Sequence, residues 1–286
     1  MTNVQEGDAQ SNKDHLVMFS GGAGSWACAK RVAELHGTDR LKLVFTDTLI
    51  EDEDLYRFLD EAADNVGGEF IRLADGRDVW QVFFDERFLG NSRIDPCSKI
   101  LKRQLFRRWL KENYPDPETV VIYLGFDWTE DHRYQKAIPH WAPYEIKAPL
   151  CEAPYLDKDD VFEWMENEGI KKPRLYEMGF PHNNCGGFCV KAGQAHFKHL
   201  LEVMPERYAY HENKEQEIRE FLGKDVAILK QTRNKVTRPL TLKDLRLQVE
   251  AEQPIDRHDW GGCGCFTPEE GLGEEGDLYE STTDAG

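Results

Sequence analysis

The stretch "HLVMFSGGAGSWACAKRVAELHG", residues 15–37, decides the fold. It reads as a buried strand over 15–20, a glycine turn, and a helix opening near residue 23. Gly21 and Gly22 let the backbone turn sharply and bring amide N–H groups up to an anion, and the start of a helix adds its positive end. Ser20 and Ser25 add hydroxyl donors. There is no lysine, so this is not the GxxxxGK(S/T) loop, and "GGAG" at 21–24 lacks the GxGxxG spacing. A bare SGG is a weak signal; its place directly after the first strand, at a helix start, gives it weight as a phosphate-binding turn.

The same alternation continues along the chain. Strands are predicted at 15–20, 41–47, 68–74, 119–125 and 144–150, and helices near 23–36, 52–65, 98–113, 157–168 and 190–203. Asp157 with Asp160 marks the start of the helix at 157–168, and Gly169 its end. The pattern predicts an α/β fold: a Rossmann-like parallel five-stranded sheet with helices on both faces and ligands at the carboxyl ends of the strands. From residue 170 the character changes, to helical patterns up to about 222 and then an end punctuated by Pro and Gly. The expected organisation is a disordered N-terminus (1–14), a nucleotide-binding α/β domain (15–170), a smaller, mainly helical, Cys-containing C-terminal region folded over the ligand edge (171–266), and an acidic disordered tail (267–286).

The 286 residues carry a net charge of −17, which argues against loose nucleic-acid binding through a general positive field. Charge is uneven, however. "SKILKRQLFRRWLK" (98–111) has six bases and no acid, a local stripe suited to a small polyanion or to one defined nucleic-acid contact, or else a solvated helix face. No apolar run approaches membrane-helix length, and the polar N-terminus shows no signal region, so a cytoplasmic protein with no membrane partner is expected. Without an export signal, the seven cysteines point to reduced thiols, a metal centre or redox work rather than to structural disulfides.

The glycine turn resembles the PP-loop, usually SGGxDS, of the adenine nucleotide alpha hydrolase superfamily, and three further stretches agree in order with its PAPS reductase branch. In "FTDTLIEDEDLYRFLDE", Asp47, Thr48, Asp54, Tyr56, Arg57 and Phe58 stand in the matching places. In "LGFDWTEDHR", Gly125, Glu130 and Arg133 match, while Asp127 stands where Arg is usual. "RLYEMGFPHNNCGGFC" is similar to a Tyr-, Gly- and Cys-bearing stretch of the same branch. The resemblance implies an adenine nucleotide (PAPS, APS or ATP) held by Ser20, Gly21, Gly22, Gly24, Ser25, Asp47, Thr48, Gly125, Glu130 and Arg133. Lys99, Lys102 and Arg103 are candidates to offset phosphate and sulfate charge. The loop departs from the family at Gly24, where ATP-splitting members carry Asp. That departure favours a pre-activated nucleotide.

The cysteines are where sulfur chemistry is expected, since a thiolate is the nucleophile that takes a sulfonate or persulfide sulfur. Cys97 precedes the basic helix, Cys185 and Cys189 form a later pair, and Cys263 and Cys265 lie in "GGCGCF". In APS-using relatives such positions hold a 4Fe–4S cluster, which makes Cys97, Cys185, Cys189 and Cys263 or Cys265 candidate ligands. A helix beginning within "CGGFCVKAGQAHF" would align Cys189, Ala192 and His196. In PAPS-using relatives a cysteine near the C-terminus attacks sulfur, so Cys263, Cys265 and Cys97 are candidate catalytic thiols, flanking glycines letting the segment swing. Unreactive thiols remain the plain alternative. Cys28 and Cys151 read as core residues. His132, His182 and His196 rank low as proton carriers.

Three functions follow. One is a PAPS/APS reductase-like enzyme served by a thioredoxin-like reductant. Another is an ATP-dependent sulfurtransferase modifying tRNA or DNA. The last is a non-catalytic nucleotide-binding protein on a worn PP-loop.

Overall fold

The structure is a computed structural model that describes residues 12–262. Five parallel strands, β1 (Asp14–Met18), β2 (Leu41–Asp47), β3 (Glu69–Ala74), β4 (Val120–Tyr123) and β5 (Glu145–Lys147), form one sheet in the order β3-β2-β1-β4-β5. Along β1 the side chains alternate between two cores. Val17 packs with Trp26, Phe45, Phe58 and Met165 on one face; Leu16 and Met18 pack with Phe106, Ile122 and Trp141 on the other. Burial on both faces makes the strand a continuous apolar run, and such a sheet needs helices on each side.

Those helices are α1 (Ala23–His36), α2 (Glu53–Val66), α4 (96–113), α5 (Asp131–Trp141) and α6 (Lys158–Asn167), while α3 (Val79–Asp85) packs into a third core away from the sheet. After α1 and α2 the chain works outward to β3, and then crosses back so that β4 lies on the other side of β1. The order reverses between β1 and β4, and a crevice opens there. In α4 a wider, π-helical turn over Lys99–Gln104 shifts the register, so Lys102 and Arg103 are buried while Lys99 stays exposed. The basic segment is therefore not a uniform solvated stripe. Asp157 caps α6 with the expected reciprocal box, accepting from the Asp159 and Asp160 amides at 2.9 Å.

Beyond α6 come α7 (Arg174–Glu177), α8 (Gln194–Val203), α9 (Pro205–Leu222), an antiparallel hairpin of β6 (Leu229–Arg233) and β7 (Val236–Leu240), and α10 (Leu242–Glu250). The hairpin and α10 stand where the sequence shows only a punctuated end. The turn residues Asn234 and Lys235 both take positive φ, 51° and 64°, a two-residue turn made without glycine. The core beneath this region draws on both sides of residue 170: Trp80 and Phe83 of α3 pack with Phe188, Phe197, Tyr208 and Leu245.

Helix α8 begins at Gln194, so Cys189 and Ala192 precede it and share no helical face with His196. Cys28 is fully buried, but Cys151 is half-buried, its thiol near the Phe126 and Asp127 carbonyls at 3.5 and 3.2 Å. Of the N-terminal residues expected to be disordered, Asp14 opens β1 and Lys13 bonds Glu145 at 2.9 Å; residues 1–11 lie outside the described residues, as do Cys263, Cys265 and the acidic tail. Among the described residues no helix is long and apolar enough to cross a membrane.

Candidate functional site

The glycine turn joins β1 to α1 at the crevice. Gly21 takes φ +78° and packs so closely on Leu55 that a Cβ there would stand 3.0 Å from its Cγ. Its carbonyl accepts from buried Asn183 Nδ2 at 2.8 Å. Gly22 opens α1 with no side-chain cap, and the Ala23 amide donates to the Tyr176 hydroxyl at 3.2 Å. Ser25 turns its hydroxyl back onto the Gly22 carbonyl at 2.8 Å, bracing the turn.

Gly24 meets Gly125 backbone to backbone. A Cβ on Gly24 would lie 3.1 Å from the Gly125 carbonyl oxygen, and a Cβ on Gly125 would lie 3.0 Å from Gly24 C and O and from Ser25 Cα. Position 24 is thus fixed by contact between the β1 and β4 loops. An acid there would crowd a carbonyl, so the spelling of the loop has a steric cause within this chain and does not by itself read out the nucleotide.

Around this contact lies a cavity of about 480 Å³. Its floor is Ser20, Gly22, Gly24 and Ser25 of the turn, and Gly125, Glu130 and Arg133 form the β4 side. Leu156 and Lys158 supply a second wall, Tyr176 and 181–184 a third, and 260–262 part of the mouth. Its size suits a nucleotide-sized ligand. The carboxylates at its edge are engaged locally: Asp127 caps the short turn after it through the Thr129 amide at 2.8 Å, Asp157 caps α6, and Glu130 pairs with Arg133. Arg133 also lies over the Phe126 ring at 4.6 Å, and Lys158 over the Tyr176 ring at 4.6 Å. Burial holds the Lys158 ammonium below its usual pKa against the pull of Asp127.

His182 faces this cavity and stacks on His196 with centroids 5.6 Å apart. Burial above all, then the neighbouring His196 and Lys158, lowers His182 to about 3, so it is neutral at physiological pH. Its Nδ1 has no hydrogen-bond partner among the described residues.

A second, much smaller cavity of about 20 Å³ is reached along the chain from Asn184 of the first to Cys185. Cys97, Cys185 and Cys189 all line it, with Thr48, Asp95 and Lys102. The Cys185 amide donates to the Glu51 carboxylate, and Lys102 Nζ stands 3.9 Å from the Cys185 sulfur. Cys185 has φ +52°, a conformation rare for a side-chain-bearing residue, and Gly186 and Gly187 continue the left-handed turn. Arg207 holds this turn by donating to the Gly186 carbonyl at 2.6 Å and the Glu51 carbonyl at 3.2 Å. The volume admits one or two waters. Among the described residues no three His, Cys, Asp or Glu side chains stand at metal-holding spacing. The three cysteines of this cavity therefore do not by themselves fit a 4Fe–4S cluster, which takes four thiolates.

The structure thus sorts the expected residues into three groups. Ser20, Gly22, Gly24, Ser25, Gly125, Glu130 and Arg133 meet at the large cavity, with Gly21 shaping it from behind. Thr48, Lys102, Cys97, Cys185 and Cys189 meet at the small one. Asp47, Arg103 and Lys99 line neither: Asp47 is fully buried against Arg72 and the Tyr56 hydroxyl (3.0 Å), and Arg103 lies on Ser98 at 3.3 Å. Tyr176, Lys158 and Asn183 are contributors that sequence reasoning gave no role. The acidic run after β2 explains how they arrive. Asp52 and Asp54 bond the Arg174 guanidinium (2.9 Å) and amide (2.8 Å), two residues before Tyr176.

No protein-family model and no curated protein matches the chain. Among solved structures, the crystal structure of a phosphoadenylyl-sulfate (PAPS) reductase from Candida auris, in a phosphate complex, is similar to it with a TM-score of 0.41 and 14% identity, over 58% of this chain and 78% of that one.

Proposed function

We propose that this protein binds an adenine nucleotide in the large cavity and acts on sulfur, reducing PAPS or APS with cysteine thiols. One observation carries the reading. Asn183 and Asn184 line the large cavity, Asn183 grips the glycine turn, and the next residue, Cys185, faces the cysteine-lined cavity. A nucleotide phosphate on the helix N-terminus would leave its sulfate end near residues 182–184, one residue from a thiol.

The glycine turn and α1 offer amides to the phosphates, and Arg133 and Lys158 offset charge. A cysteine thiolate attacks the sulfonate sulfur, forming an S–S bond as the S–O bond to the phosphate breaks and the nucleotide leaves. A second thiol then attacks the first cysteine's sulfur, expelling sulfite and leaving a disulfide for an external, thioredoxin-like dithiol to reduce. Cys97, Cys185 and Cys189 are candidates, and so are Cys263 and Cys265, the first of which follows Gly262 at the cavity mouth by one peptide bond.

The test is sulfite release from PAPS or APS with a dithiol donor. The wild-type chain should release sulfite, and Arg133→Ala should raise the KM for the nucleotide about tenfold or more through loss of a charge-assisted contact. AMP and pyrophosphate formed from ATP on addition of nucleic acid, with no sulfite from either adenylyl sulfate, would replace this reading with the sulfurtransferase. Binding without turnover of any nucleotide would leave a nucleotide-binding protein. Iron and labile sulfide measured in anaerobically purified protein test the cluster separately.

A further inference from the structure

The hairpin and α10 form a surface unlike the rest of the chain. Acids outnumber bases 53 to 36 overall, yet residues 226–243 hold Lys230, Arg233, Lys235, Arg238 and Lys243 and no acid. Residues 232–239 are all exposed, so the ribbon projects with neither face covered. The pairing of Gln231 with Arg238 and Arg233 with Val236 puts both arginines on one face, and Lys230, Thr232 and Thr237 on the other. Between the arginine face and α10 runs an open groove of about 600 Å³. Its polar lining is Gln231, Arg233, Asn234, Arg238, Gln248 and Gln253, with one carboxylate, Asp244, engaged by Thr241 at 2.7 Å. Among the described residues Arg233 reaches Gln248, at 3.2 Å, and no carboxylate pairs with Lys230, Arg233, Lys235 or Arg238.

We propose that this ribbon is a docking surface for double-stranded DNA, entering the major groove while Lys230 and Lys235 meet phosphates. Guarding the edges of a two-stranded ribbon accounts for lysines and for Pro239, but not for two arginines turned to one face beside a row of amide side chains. A polyanion does. The exposed part is about 13 Å long at the rise of a strand, and the major groove, roughly 12 Å wide, admits a two-stranded ribbon lying with one face toward the base edges. The deep, narrow major groove of A-form RNA does not. Arg, Asn and Gln are the side chains that make bidentate contacts to guanine and adenine edges. Among the described residues no aromatic side chain lines the groove, which offers no stacking platform of the kind a single-strand binder uses.

The base of the ribbon is held firmly. Glu215 accepts from the Ile228 and Leu242 amides at 2.9 and 2.6 Å, and Gln194 Nε2 donates to the Lys230 carbonyl at 3.0 Å. The same Gln194 accepts from the Asp256 amide at 3.4 Å, at the start of the segment that ends in the mouth of the large cavity. This proposal stands whatever that cavity binds.

The test is fluorescence anisotropy of the full chain with a labelled DNA duplex of about 20 base pairs. With two phosphates met, affinity should fall about tenfold between roughly 50 and 200 mM salt. The Arg233→Ala/Lys235→Ala/Arg238→Ala variant should bind at least about tenfold more weakly, with the salt slope reduced by about one for the phosphate contact of Lys235. Its melting temperature should match the parent, because the three side chains are exposed. Unlabelled duplex RNA and single-stranded DNA should compete poorly. Absence of saturable binding at low salt, equal binding by the variant, or competition by RNA or single strands as good as by duplex DNA would each overturn the proposal. Nucleotide binding by the variant should be unchanged, which keeps this result separate from that of the proposed function.

Discussion

Gly125→Ala is expected to weaken nucleotide binding by about tenfold or more while leaving a folded protein. The added Cβ would stand 3.0 Å from three backbone atoms of Gly24 and Ser25, and no flexible side chain is there to move aside. Relief requires the β1 and β4 loops to part, which moves the α1 amides away from the ligand. Overpacking of this kind costs about 1–3 kcal/mol, so the melting temperature should drop by several degrees. Isothermal titration with PAPS and with ATP, beside thermal melts, reads both effects; unchanged affinity would show that the large cavity is not the nucleotide seat. The same contact predicts that Gly24→Asp, although it writes the family's acid into the loop, brings no ATP cleavage, because its Cβ meets the Gly125 carbonyl at 3.1 Å.

Glu215→Ala is expected to destabilise the C-terminal region by about 2–6 kcal/mol. The carboxylate is almost wholly buried and accepts from two backbone amides, Ile228 just before β6 and Leu242 at the start of α10. Removal leaves two buried donors unpaired, each costing about 1–3 kcal/mol. Denaturant unfolding measures the loss; a change below about 1 kcal/mol would mean that packing alone holds the hairpin. The site also carries a pH dependence. Burial raises the Glu215 carboxyl to about 7, outweighing the two amides that pull it down. A folded pKa above the unfolded one means that the stabilising contribution is full below the ordinary carboxyl range and is lost as pH rises through about 7. Relative to Glu215→Gln, which does not titrate, the parent should therefore lose about 3 kcal/mol between pH 4.5 and 8.

What the sequence determined by itself is the framework at the glycine turn. The β1 run is apolar at successive positions because both faces are covered, and the glycines are there because a sharp turn and a close backbone approach leave no room for side chains. That local chemistry placed α1 at Ala23–His36 and β2 at Leu41–Asp47, and brought Gly125, Glu130 and Arg133 to the same crevice. The hairpin escaped because its strands, "LKQTR" and "VTRPL", bury only Leu229 and Leu240 at the base and show no apolar alternation, and its turn uses Asn234-Lys235 without glycine. Only the tertiary structure decided which expected ligands share a site. Asp47 and Thr48 are neighbours in sequence, but alternation along an extended strand sends one to Arg72 and the other to the cysteine-lined cavity. The wide turn in α4 sends Lys102 inward and leaves Lys99 in solvent, a register shift that composition does not encode. The union of Tyr176 and Asn183 with the glycine turn spans more than 150 residues and rests on Asp52 and Asp54 gripping Arg174. Long-range pairing of this kind has no periodicity to read; it exists only once the sheet has brought the ends of β1, β2 and β4 together.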